Sequence, residues 1–361
     1  MEREYKIVAI NPGSTSTKVA AFANEEKLFE INVHHDAGEM ARFKNVLEQR
    51  ELRKADIERD LAEHGISLSQ VDAIAARGGP RKGPFESGAY EVNEAMYNDC
   101  KDINEARHPS RLGPIIAYEW AQQYPNLKAY NYDTVFSDEL CDLARVSGTP
   151  LCERKSTYHA LNTRAVAREV AKKYGEDYFA VNYIMVHAGG GVSTSLHSCG
   201  RAIDVVAEDE GTFSPVRAGR VPRACILDLA YSGEYDKNGV KSLLDQRSGL
   251  VGYLGTNDCV EIEQRISAGD SKAEFVYDAF IYQLAKDVGE LATVVCGKID
   301  RIVITGGIAY SEKFCKALTE RVSFIAPVEV FPGSIEQDAL GRGILRALRG
   351  EEAAKTYTSN S

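Results

Sequence analysis

The chain has 361 residues, of which 44% are hydrophobic and 27% charged, a balance that excludes both a disordered chain and a membrane-embedded one. At roughly 150 residues per domain, this length predicts about two domains rather than one continuous core. Acidic residues outnumber basic ones 53 to 43, and the resulting net charge of −10 argues against nucleic acid or an anionic membrane as partner.

In chain order, Ile7-Val8-Ala9-Ile10, Lys18 to Phe22 and Lys27 to Val33 predict an antiparallel meander, with a Gly/Ser/Thr turn after the first strand and an Asn24-Glu25-Glu26 break before the third. From Ala41 to Glu63 the chain is charge-dense. Phe43, Val46, Leu47, Ile57 and Leu61 fall at helical spacing there, which predicts surface helices with the charges on a solvated face, ending at Gly65. A short strand, Asp72 to Ala76, runs into Arg77-Gly78-Gly79. Phe179 to Val186 then predicts a strand, His187 to Gly191 a turn, and Val192 to Leu196 and Arg201 to Val205 further strands, so the opening pattern recurs in the second half. That recurrence suggests two copies of one domain type. Phe280, Ile281, Leu284, Val288, Leu291 and Val295 predict an amphipathic helix, followed by a strand at Arg301 to Ile304 and the turn Thr305-Gly306-Gly307. Leu340, Ile344 and Leu348 predict a closing helix, and the polar residues from Glu351 to Ser361 a frayed tail.

Ile7 to Ile10 are too few to form the apolar centre of a secretory signal, and no apolar run approaches the ~18 residues of a spanning helix. The eight cysteines form no C-x-x-C pair, so neither a zinc cluster nor a disulfide framework is indicated. The expectation is reduced, mostly buried thiols in a cytoplasmic protein.

Asn11-Pro12-Gly13-Ser14-Thr15-Ser16-Thr17-Lys18 offers backbone N–H groups and hydroxyls to phosphate oxygens. It is not a P-loop, because G-x-x-x-x-G-K-[ST] is absent and the turn leads into a strand rather than a helix. A polar hairpin turn without a ligand would use the same residues. Gly189-Gly190-Gly191 forms the matching turn, where three glycines suit close approach of backbone to phosphate. His187 beside it reads either as a residue near phosphate or as a structural histidine. Thr305-Gly306-Gly307 fits a nucleotide at a strand end, or a tight turn for steric reasons alone.

Read in order, the Asn11–Lys18 octet, Arg77-Gly78-Gly79, His108, Asp133 with Asp138-Glu139-Leu140, His159-Ala160-Leu161-Asn162, the triple glycine, Phe213-Ser214-Pro215-Val216-Arg217-Ala218-Gly219, Tyr253-Leu254-Gly255-Thr256-Asn257-Asp258 and Gly306-Gly307-Ile308-Ala309-Tyr310-Ser311 resemble the acetate and butyrate kinases, relatives of actin and the sugar kinases. The last three stretches resemble the butyrate branch. The resemblance implies an α/β fold of two related actin-like (ribonuclease H-like) domains around a central cleft. These would be residues 1–134 joined by the closing helix 338–361, and 135–337 as the main nucleotide-binding domain. It implies reversible, Mg²⁺-dependent transfer of the γ-phosphoryl group of ATP to butyrate or a branched analogue by direct in-line attack, in a cytoplasmic homodimer or higher oligomer with no nucleic-acid or membrane partner.

Two anions must be brought together in such a reaction, and arginine suits this because its planar fork is bidentate and always charged. By resemblance, Arg217 would bridge carboxylate and γ-phosphate, with Arg77, Asp133 and His159 as the other catalytic groups. Asn11, Ser14, Ser16, Lys18, His187, Gly189, Gly190, Gly191, Asp258, Gly306, Gly307 and Ile308 would hold nucleotide and phosphates. Asn11, Asp133 and Glu336 would surround the metal, with Asp338 a rival to Glu336, and Gly78, His108 and Phe136 would line the substrate pocket. Departures from the family pattern, Pro109 and Arg111 after His108 and Phe136 after Asp133, bear on acyl specificity. Two other readings fit a fold of this type: a kinase or phosphatase acting on a different small molecule, and a catalytically silent nucleotide-binding protein.

Overall fold

The continuous apolar run Ile7–Ile10 becomes a strand covered on both faces, which is why it lacks the alternation of a half-solvated strand. The computed structural model describes residues 3–359 apart from 15, 41, 81–84, 103–107 and 135. It divides into two units, one of Met1–Asp138, Ala160–Asn162 and Ile335–Ser361, the other of Glu139–His159 and Thr163–Ser334.

The first unit holds β1 (Lys6–Pro12), β2 (Ser16–Ala23), β3 (Glu26–His34), β4 (Ala73–Ala76), β5 (Ala89–Glu91) and β6 (Lys128–Tyr132). The second holds β7 (Asn182–Ala188), β8 (Val192–Ser198), β9 (Arg201–Val206), β10 (Arg301–Gly306) and β11 (Val328–Pro332). β12 (Lys355–Thr356) returns to the first. The first sheet has the order β12-β5-β6-β4-β1-β2-β3, with β1 to β3 antiparallel and β1, β4 and β6 parallel. Val8, Ile10 and Val19 pack on one face with Ile57 and Leu61 of the helix Arg50–Glu63 and Ile115, Ile116 and Trp120 of the helix Leu112–Gln123. The helix Glu336–Arg349 covers the other face, lying close enough that a Cβ on Gly341 would strike the Phe22 ring.

The second sheet, β11-β10-β7-β8-β9, repeats this plan: an antiparallel meander (β7 to β9) beside two parallel strands. The recurrence read from sequence is therefore a recurrence of topology. The helix Ser271–Val294 carries Phe280, Ile281, Leu284, Val288 and Leu291, with Val295 as its C-cap, and starts where the Asp270 side chain accepts from the N–H groups of Lys272 and Ala273.

Three expectations are corrected. The charge-dense segment is helical only from Arg50, after a 3₁₀ turn at Val46–Gln49, and its charges are not all solvated: Arg53, Lys54 and Asp56 are buried. The tail is not frayed up to its last described residues, because β12 pairs with β5 and Tyr357 is buried against Phe85, with ring centroids 5.4 Å apart. The cysteines are all free, but Cys152, Cys199, Cys225 and Cys296 are exposed. Among the described residues no helix is long and apolar enough to cross a membrane.

Candidate active site

The octet Asn11–Lys18 forms the turn between β1 and β2, closed by Gly13 N–H donating to Ser16 O at 2.8 Å, with Asn11 opposite Lys18 in register. Thr15 lies outside the described residues. The carbonyls of the turn point back into the protein. Arg53 donates through Nη2 to Ser14 O (3.0 Å) and through Nη1 to Ser16 O (3.3 Å) and Thr17 Oγ1 (3.2 Å). Thr17 Oγ1 lies 2.8 Å from His35 Nε2, and His35 Nδ1 lies 2.8 Å from Asp56. Burial holds His35 below the usual imidazole range. Lys18 is exposed on β2.

Beside this turn, three predicted residues meet. Arg77 Nη2 pairs with Glu336 Oε1 at 3.0 Å, Arg77 Nη1 donates to Asn11 Oδ1 at 3.3 Å, and Asn11 Nδ2 donates to Glu336 Oε2 at 3.0 Å. The Nε of Arg77 is buried with no hydrogen-bond partner among the described residues. Asp338, the rival of Glu336, is taken up by Lys27 at 2.8 Å. Asp133 sits beyond the end of β6, buried, with φ 40°, and accepts from Gly88 N–H at 2.8 Å. Gly78 O accepts from Asn131 Nδ2 at 3.0 Å. His108 caps a 3₁₀ turn through Ser110, and the surrounding protein together with the Arg77 charge lowers its pKa. Arg111 turns inward to the Asp99 carbonyl, and Phe136 packs partly buried against the core of the first unit.

In the second unit, Gly189 N–H donates to Gly191 O at 3.0 Å and closes the β7–β8 turn. A Cβ on Gly191 would meet Arg217 Nη1 and Glu208 Oε1, the ends of two flexible side chains, whereas Gly190 faces open space. His187, at the end of β7, stacks on His159 with centroids 3.8 Å apart and planes 8° from parallel. His159 precedes the helix Ala160–Tyr174, and its Nδ1 lies 2.8 Å from Ser193 Oγ. Arg217 is carried by a tight turn in which Ser214 N–H donates to Arg217 O and Arg217 N–H to Ser214 Oγ, both at 3.0 Å. Its Nη1 donates to Glu208 Oε1 at 2.6 Å. Sequence reasoning missed Glu208 and Ser193.

The other nucleotide candidates are on the same unit. Asp258 is exposed and caps the helix Cys259–Ser267 through Val260 N–H at 2.9 Å. Gly306 adopts φ 94° against the Ala188 backbone, and its N–H and C=O pair with Gly333, so it is glycine for steric reasons. Gly307 faces open space, and Ile308 is buried in the 3₁₀ turn that follows.

Chemically, the first unit offers an amide and a carboxylate oxygen beside a guanidinium, and the second a guanidinium and an imidazole at a glycine turn. Both sets suit oxyanions, and Asn11 Oδ1 with Glu336 gives the hard oxygen donors that Mg²⁺ takes while keeping several waters. Among the described residues no group of three or more His, Cys, Asp or Glu side chains is placed to hold a metal by itself.

Comparison with known proteins gives one family match, to the acetokinase family, over residues 132–331. Among solved structures, the chain is similar to acetate kinase from Porphyromonas gingivalis (18% identity, TM-score 0.79, covering 95% of this chain and 100% of that one). It is similar to a propionate kinase from Francisella tularensis subsp. tularensis SCHU S4 (18%, 0.76, 94% and 98%) and to an ROK hexokinase from Thermus thermophilus (16%, 0.51, 96% and 99%). At these identities the structural likeness establishes the fold, that of the actin-like ATPases.

Proposed function

This chain belongs to the acetokinase family, and on that premise we propose that it transfers the γ-phosphoryl group of ATP to a short-chain carboxylate, butyrate or a branched four-carbon relative, to give an acyl phosphate. The observation that carries this reading is the convergence of Arg217 and His159 on Gly191, with Glu208 Oε1 between the guanidinium and the imidazole. Charge spreads over the equatorial oxygens of a transferring phosphoryl group, and preorganised donors aimed at those oxygens stabilise it without reorganisation. Arg217 would grip the oxygens with its fork, and His159 would donate from Nε2. The carboxylate is itself the nucleophile, so no side chain need form a covalent intermediate.

Asn11 and Glu336 would hold Mg²⁺, which when bound supplies positive charge to the phosphate oxygens. Arg77, which pairs with Glu336, would then turn to the acceptor carboxylate. The four-carbon preference rests on the likeness of Phe213–Gly219, Tyr253–Asp258 and Gly306–Ser311 to butyrate kinases.

The test supplies ATP, Mg²⁺ and an acid, and traps product with hydroxylamine. Butyrate or isobutyrate should yield the hydroxamate with kcat/KM about tenfold above acetate, since each methylene in an apolar pocket is worth ~1–3 kcal/mol. Acetate as the best substrate would overturn the four-carbon assignment. ATP turnover with a polyol and none with any acid would overturn the carboxylate reading altogether.

A further inference from the structure

Glu208 touches both groups on which the phosphoryl-transfer assignment depends. Its Oε1 accepts from Arg217 Nη1 at 2.6 Å and lies 3.9 Å from His159 Nε2. On the other side of the imidazole, Ser193 Oγ accepts from the backbone N–H of His159 at 3.3 Å and lies 2.8 Å from Nδ1. The Ser193 hydroxyl can donate to Nδ1 or accept from it; when it donates, the ring proton sits on Nε2, the nitrogen nearer Glu208. With Gly191 packed directly against the Arg217–Glu208 pair, the arrangement has the parts of an oxyanion site: turn backbone, a guanidinium and an imidazole around one carboxylate oxygen.

We propose that Glu208 is an internal stand-in for the substrate oxyanion, its carboxylate occupying the place between Arg217 and His159 until a phosphoryl or carboxylate oxygen displaces it. The identity of the displacing anion rests on the carboxylate-kinase reading; the exchange itself does not. Both partners stand on tight turns. The Arg217 backbone is held by two bonds with Ser214. Glu208 stands on the turn Ala207–Gly211, closed by Glu210 and Gly211 N–H groups on Ala207 O, and its partly exposed side chain can swing away by rotation about its own bonds. Burial, together with the charges of Asp209 and Asp245, pushes the Glu208 carboxyl above its usual range in spite of Arg217, so its charged form is disfavoured where it stands. A resident carboxylate of this kind keeps Arg217 aimed and screens the site from stray anions, at the expense of affinity for the right one.

The probe is inorganic phosphate, titrated calorimetrically into the full-length protein. If Glu208 engages Arg217 about nine-tenths of the time, Glu208→Gln should bind phosphate roughly tenfold more tightly than wild type, and Glu208→Ala should move in the same direction. KM for the acid should fall by a similar factor. In an Arg217→Ala background, Glu208→Gln should change phosphate affinity by less than about twofold, because the coupling is lost. Glu208→Asp, which withdraws the carboxylate without removing its charge, should give a smaller gain and serves if the Gln variant does not fold. Unchanged or weaker phosphate binding in the Glu208 variants, or a gain that persists without Arg217, would overturn the proposal. Phosphate binding is read without turnover, so failure to form an acyl phosphate would count against the carboxylate-kinase reading and leave this measurement standing.

Discussion

Arg53 carries a charge with no exposed surface, and all five of its hydrogen bonds go to neutral acceptors: Gln49 twice, Ser14 O, Ser16 O and Thr17 Oγ1. Burial pulls its pKa down to about 10, which still leaves it protonated at neutral pH. It holds the carbonyls of the β1–β2 turn inward, away from an incoming anion. Replacing the fork by a point charge, Arg53→Lys, should lower the free energy of unfolding by ~2–3 kcal/mol, because the turn carbonyls and Thr17 lose a shared donor. KM for ATP should rise several-fold in the same variant, measured beside the urea midpoint. An unmoved midpoint would show that the guanidinium does not tie the turn. Asn11, Arg77, His159 and Arg217 were legible because each stands in a motif whose residue types suit phosphate or carboxylate. Arg53 was not, since in a charge-dense stretch any one charge reads as solvated. Its signal was present all the same: Arg53, Ile57 and Leu61 fall at i, i+4, i+8 on one apolar face. Glu208 stands in the acidic run Glu208-Asp209-Glu210, where nothing in the order of residues marks the one that turns to Arg217.

At the scale of elements, β1, β2 and β3 were legible from their turn signals and apolar runs. β6 (Lys-Ala-Tyr-Asn-Tyr) was not, because its polar Asn131 is buried by donating to the neighbouring backbone at Ala76 O and Gly78 O. The two-residue β12 was beyond any periodicity, yet Tyr357 should have marked it, as a large apolar side chain in a polar tail. Tyr357 stacks on Phe85, its hydroxyl donates to Asp99 Oδ2 at 2.7 Å, and its carbonyl accepts from Asn93 Nδ2 at 2.8 Å. Tyr357→Ala should cost about 3 kcal/mol through the lost ring and the cavity left behind. Removing the chain after Gly350 should cost at least as much, by urea denaturation, and a truncated protein as stable as wild type would mean that β12 adds nothing to the sheet it joins.

At the scale of the whole molecule, the net charge of −10 meets the need for anion binding in a particular way: the candidate anion-binding arginine of each unit carries a glutamate partner, Arg77 with Glu336 and Arg217 with Glu208. Global stability shows a comparable opposition, between two buried groups of the second unit. His197 is held neutral by burial, its pKa pushed down to about 3, between Tyr178 Oη and Ser195 Oγ, each at 3.0 Å. The unfolded chain protonates this imidazole below about 6.5, so its contribution to stability falls as the pH drops from there. Asp287 runs the other way. Burial raises its carboxyl to about 6, against bonds to Thr212 N–H at 2.7 Å and Arg220 at 3.5 Å, so the folded state keeps a proton that the unfolded chain sheds between about 4 and 6. Its contribution is present below about pH 4 and lost as the pH rises through 6. One proton is worth ~1.4 kcal/mol per pH unit, so between pH 6 and 4 the two slopes nearly cancel. Asp287→Asn keeps an oxygen for Thr212 N–H and removes the titration, and should unmask the histidine. Relative to wild type the variant should be more stable at pH 7 by up to about 3 kcal/mol, an advantage that disappears by pH 4. His197→Gln should show the reverse, losing less stability than wild type on acidification. Urea unfolding at half-unit pH steps measures both differences, and a pH-independent gap between Asp287→Asn and wild type would show that Asp287 titrates in the folded protein as it does in the unfolded chain.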